Sequence, residues 1–140
     1  MSKLAPYIKF NDNACREAMQ FYQSILGGKV EFSTIGDSPM SKEMPADKQD
    51  LIMYSTLTAN KIMFFGSDMM RDRAVIGDNV GLALECESEN ELRGIFDKLK
   101  QGGDVFMDQS EQFWGGVFGV VTDKYGVEWM LNFQKKPIKK

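Results

Sequence analysis

The chain has 140 residues, enough for one domain and short for two. Its residues are 43% apolar and 26% charged, which excludes a disordered class, and a net charge of −3 argues against a nucleic-acid-binding surface. It has no histidine, which excludes Ser-His-Asp and Cys-His nucleophile systems and removes the commonest transition-metal ligand.

In chain order, residues 4–10 alternate as a strand, with Leu4, Pro6, Ile8 and Phe10 on one side and Ala5, Tyr7 and Lys9 on the other. "NDN" at 11–13 supplies an N-cap, and Ala14 to Leu26 follows as an amphipathic helix with Ala18, Phe21, Tyr22, Ile25 and Leu26 as its stripe. Gly27-Gly28 ends it. Residues 29–35 form a second strand. Residues 36–50 are polar, hold two prolines and read as a long loop, either functional or disordered, in which Met40 and Met44 are candidates for closing over an apolar ligand, with disorder or a contact with a second copy as the alternatives. Residues 51–58 and 61–66 are strands joined by a tight hairpin at Ala59-Asn60. A connector follows to residue 78.

The pattern then restarts. Val80 to Cys86 is a strand. Ser88 with Glu91 has the capping-box spacing, and a helix runs to about Lys100 with Leu92, Ile95, Phe96 and Leu99 inside. Gly102-Gly103 ends it, and strands follow at 104–108, 117–122 and 127–133. Both halves therefore read as strand, helix, three strands. "FYQSILGGKV" and "FDKLKQGGDV" share Phe, Gly-Gly and Val in step, which agrees with a repeat. The fold class is α+β: two βαβββ modules, each with one sheet face under its helix and the other open.

No apolar run approaches the ~20 residues of a membrane span. "MSKLAPYIKF" has no long hydrophobic stretch before a cleavage site, so a cytoplasmic location is expected. Cys15 and Cys86 form no CxxC pair and read as reduced thiols. The basic tail "KKPIKK" reads as solvated. The ten methionines suit either an adaptable pocket or a Met-rich core.

"PYIKFNDNACREAMQFYQSILGG", "IMFFGSD" and "FWGGVFGVVTDKYGVEWMLN" together resemble the PhnB-like branch of the vicinal oxygen chelate (glyoxalase/bleomycin resistance/dioxygenase) superfamily. The resemblance covers nearly the whole chain and implies one domain: module 1 at about 1–68, a connector at 69–78, module 2 at about 79–135 and a basic tail at 136–140. It implies a curved, barrel-like mixed sheet with the helices outside, a concave site between the modules' sheets, and a homodimer. Metal-dependent members carry ligands on strands one, three, five and eight. Those slots fall near Tyr7, Thr56, Gly81 and Met130, and none is a good ligand for a divalent metal. Tyr54, Glu85 and Glu128 lie close by and offer at best a poor oxygen site. No metal and no cofactor is therefore expected. The branch's methyltransferase label is not carried over, because no glycine-rich turn precedes a helix.

Alternation sends Phe10, Ile8, Leu57, Leu82, Leu84, Trp129 and Leu131 to the helix side of the sheets. Tyr7, Lys9, Tyr54, Thr56, Thr58, Ala83, Glu85, Glu128, Met130 and Asn132 fall on the open side, a mixture typical of small-molecule sites. The candidate ligand-pocket residues are Tyr7, Lys9, Tyr54, Thr56, Phe113, Trp114, Glu128 and Met130. Phe113 and Trp114, beside Gly115-Gly116, suit a mobile lip or a dimer contact. The leading expectation is metal-independent binding of a small apolar or aromatic molecule. An enzyme of lyase, isomerase or transferase type using Lys9, Tyr54 and Glu85 or Glu128 for proton transfer is one alternative; a non-catalytic dimeric scaffold whose pocket is filled is the other.

Overall fold

The computed structural model describes residues 2–69 and 73–134. The initiator Met1, residues 70–72 of the connector and the basic tail at 136–140 lie outside the described residues. The chain divides into two compact units at Val75/Ile76.

The first unit runs β1 (Tyr7–Lys9), α1 (Cys15–Leu26), β2 (Lys29–Thr34), β3 (Ile52–Ala59) and β4 (Ile62–Ser67). Its sheet has the order β1-β4-β3-β2, with β1 parallel to β4 and the other pairs antiparallel. The second unit runs β5 (Leu82–Glu85), α2 (Glu89–Leu99), β6 (Asp104–Glu111), β7 (Gly116–Thr122) and β8 (Glu128–Gln134). Its order β5-β8-β7-β6 repeats the first, again with the opening strand parallel to the last. The doubled βαβββ architecture is thus present as two open four-stranded sheets, not one closed barrel.

Helix α1 buries Cys15, Ala18, Met19 and Tyr22, a stripe at steps of three and four. Phe21, Ile25 and Leu26 sit half-buried beside it. The stripe packs on Phe10, Leu57 and Phe64, with Tyr22 meeting Phe64 edge-on at 5.5 Å between ring centroids. Gly66 lets the helix approach: a Cβ there would come within 2.8 Å of Met19 Sδ. In the second unit Leu92, Phe96 and Leu99 pack on Val117, Val121, Trp129 and Leu131. There Gly119 plays the same part, since a Cβ would meet the Phe96 ring at 2.6 Å.

The helix starts differ. Ser88 caps α2, accepting from Glu91 N at 3.0 Å, while Glu91 Oε1 accepts from Glu87 N at 2.9 Å. "NDN" does not cap α1. The N-cap position is Ala14, and the orphan N–H of Cys15 donates instead to Asp68 Oδ1 at 2.9 Å. Asn11 is spent on Ala74, pairing with both its N–H and its carbonyl, and Asp12 is held by Arg73, which keeps its carboxyl below the usual range.

Other boundaries move for local reasons. Strand β1 keeps only Tyr7–Lys9 because β4 offers three partners; Leu4 is fully exposed. The hairpin turn is Asn60-Lys61, one residue later than expected, with Asn60 at φ 48°. Residues 36–50 are not a featureless loop. They hold two 3₁₀ turns, Pro39–Glu43 and Ala46–Lys48, pinned by Gln49 Nε2 donating to the carbonyls of Ser41 and Met44. Strand β5 is shorter than the expected 80–86, and β6 runs on to Glu111. Cys15 and Cys86 are free, buried thiols.

Candidate functional site

Each sheet has one face under its helix and one open face, and the alternation expected from the sequence holds. In the first unit Tyr7, Phe65, Thr56 and Glu31 form one row across the open face, through the pairs Tyr7↔Phe65, Thr56↔Phe65 and Glu31↔Thr56. Tyr54 and Lys9 lie on the next row, with Ser67 opposite Lys9. Phe65 joins the two tyrosines: its ring centroid is 6.1 Å from that of Tyr7 and 5.5 Å from that of Tyr54. Tyr7 and Tyr54 remain 49% and 43% exposed, so the ring cluster faces outward. Phe65 was absent from the sequence-derived candidates. Its signal was available, since Met63 and Phe65 alternate with the core residues Phe64 and Gly66.

In the second unit Glu128, Met130 and Asn132 of β8 stand on the open face beside Ala83 and Glu85 of β5 and Thr122, Val120 and Phe118 of β7. The acids occupy opposite ends of this grid. Glu128 lies next to Gly81, where a Cβ would come 3.0 Å from its Oε1. Glu85 sits opposite Asn132 and accepts from Asn132 Nδ2 at 2.8 Å. Phe113 and Trp114 lie in the β6–β7 turn, at the Asn132 end. Phe113 is 99% exposed, and the Trp114 indole lies over Gly116, filling the space a side chain there would need.

Lys9 belongs to the first unit, and Glu85 and Glu128 to the second. Met40 is exposed on the first 3₁₀ turn, and Met44 is half-buried just after it.

The metal-ligand slots of the superfamily do not fit a divalent metal here. Tyr7 stands in an aromatic cluster, Thr56 is a neutral hydroxyl, Gly81 has no side chain and Met130 offers only a soft thioether. Among the described residues no three Cys, Asp or Glu side chains converge as a metal site. No helix among the described residues is long and apolar enough to cross a membrane.

Residues 2–132 match a family model described as 3-demethylubiquinone-9 3-methyltransferase. Protein YjdN of Escherichia coli (strain K12) is 32% identical over 142 residues, spanning 95% of this chain and 96% of that protein. The fold is similar to protein PA1353 from Pseudomonas aeruginosa, at TM-score 0.84 and 34% identity over 96% of this chain and 98% of that one. It is also similar to the PhnB protein from Bacillus cereus, at TM-score 0.75 and 29% identity over 94% and 99% of the two chains. Glyoxalase/bleomycin resistance protein/dioxygenase structures share the fold alone, at 10% and 16% identity. The family description does not carry an activity over. The strand-to-helix turns, Phe10–Ala14 and Cys86–Ser88, contain no glycine. By sequence and fold together, the chain belongs to the family of that model, alongside the PhnB protein it resembles, and it has the fold seen in glyoxalase/bleomycin resistance/dioxygenase structures.

Proposed function

We propose that the protein binds a small apolar or aromatic molecule without a metal, on the open face of the first sheet. The observation that carries this reading is the Tyr7–Phe65–Tyr54 ring cluster. Three aromatic groups stand together on a solvent-facing surface while the opposite face of the same sheet packs under α1. Exposed rings gain by stacking with a planar ligand, about 0.5–1.5 kcal/mol per aromatic pair beyond area burial. Thr56 and the two tyrosine hydroxyls supply the few polar groups that orient a bound molecule. A cytoplasmic homodimer is the setting we propose, with the exposed Val105, Phe106 and Met107 of edge strand β6 available for cover by a second copy.

The test is a thermal-shift screen with phenol, indole and naphthol on the wild type and on Phe65→Ala. A ligand at 100 times its Kd raises stability by about 2.7 kcal/mol. Binding should be seen in the wild type and fall in the variant. A screen in which no compound raises Tm, or in which Phe65→Ala binds as well as the wild type, overturns the reading.

A further inference from the structure

Asn132 carries an inference of its own. Its Nδ2 donates to Glu85 Oε2 at 2.8 Å, which orients the amide, because the reverse orientation would press its oxygen against the carboxylate. The Oδ1 that remains is shielded from solvent and has no hydrogen-bond partner among the described residues. A buried acceptor left unpaired costs stability, and each such atom calls for a physical account. What Oδ1 lacks is a donor, and the amide's hydrogen-bond partner, Glu85, is also an acceptor.

The surroundings select the donor further. Phe118 sits opposite Asn132 across β7, and the Trp114 indole covers Gly116 two residues away on the same face. Asn132 thus has a ring one strand away on one side and the Glu85 carboxylate one strand away on the other, and such rings favour a cation whose plane can lie against them. One step down the strands, about 7 Å at strand rise, Met130, Ala83 and Val120 make an apolar floor. We propose that this end of the second sheet binds a planar N–H cation of the amidine or guanidine class. One N–H would go to Asn132 Oδ1 and another to the Glu85 carboxylate, with a short apolar tail over Met130. The proposal does not rest on the aromatic face of the first sheet.

The probe is pentanamidine, set against pentanoate, its isosteric anion, on the full chain. The readouts are Trp fluorescence and the side-chain amide resonances of Asn132. The amidine should bind saturably and pentanoate should not. Asn132→Leu and Glu85→Gln should each weaken the amidine by about tenfold or more. Glu85 is exposed, so the second variant keeps the test valid if the first does not fold. Equal binding of the two probes overturns the proposal, as does an unchanged affinity in Glu85→Gln. Absence of saturable binding also overturns it. Phe65→Ala separates the two proposals: loss of phenol binding there with amidine binding intact concerns only the first sheet.

Discussion

Asp68 is the residue whose removal most directly tests how the first unit is held together. It is 8% exposed, and its carboxylate serves two buried backbone donors: Cys15 N at the start of α1 and Ile52 N at the start of β3, both at 2.9 Å. Cys15 and Ile52 are 0% and 1% exposed, so water cannot replace the lost acceptor without the structure opening. A hydrogen bond to a charged group contributes about 1.5–3 kcal/mol. Asp68→Ala should therefore destabilise the unit by about 3–5 kcal/mol, since relief of carboxylate burial offsets part of the two-bond loss. At about 2–4 °C per kcal/mol for a chain of this size, Tm should fall by about 6–20 °C. Asp68→Asn keeps one acceptor oxygen and turns an N–H₂ toward the other donor, so it should recover no more than half the loss. Trp114 and Trp129 both lie in the second unit and would not report on this event. The suitable assay is urea unfolding followed by far-ultraviolet circular dichroism together with thiol labelling of Cys15. A loss below about 1 kcal/mol for Asp68→Ala, or an Asp68→Asn variant as stable as the wild type, would refute the account.

Burial pushes the Cys15 and Cys86 thiols up to about 12 from an ordinary 9.0; Ser55 opposes the shift at Cys15, while Glu91 and Glu85 add to it at Cys86. The folded chain thus keeps protons that the unfolded chain releases, so the two thiols' contribution to stability is fully present below their ordinary 9.0 and is lost as pH rises toward 12. Denaturant titrations across this range should show the fall, with a shallower slope in Cys15→Ala; a flat profile contradicts it. Gly28 has φ +84° and lies against Thr58 O and the Ala59 side chain, whereas Gly27 has φ +78° and open space. Gly28→Ala should therefore cost at least about 2 kcal/mol more than Gly27→Ala in urea unfolding, and equal costs would show that the close approach relaxes freely. Met130→Glu should not create a zinc or nickel site measurable by titration calorimetry, because the Tyr7, Thr56 and Gly81 slots stay unsuited; stoichiometric binding would overturn that account of the donors.

The sequence by itself determined most of what is local. Strand alternation placed Phe10, Leu57, Trp129 and Leu131 on the packed side and Tyr7, Tyr54, Glu128 and Met130 on the open side, because the period of a strand is fixed by its pleat. Ser88 and Glu91 announced the start of α2 because a capping box is built from neighbours three residues apart. The absence of histidine had already made the superfamily's metal slots unfit. What only the tertiary structure decided depends on partners distant in the chain. Asp68 replaces "NDN" as the cap of α1 from 53 residues away. Phe65 joins Tyr7 and Tyr54 because β4 pairs with both β1 and β3. Glu85 and Glu128, alike in sequence, come to opposite ends of one sheet face, and only the strand register places Asn132 beside the first of them. Register is a long-range pairing choice, and nothing in the residues flanking Asn132 specifies which strand lies opposite.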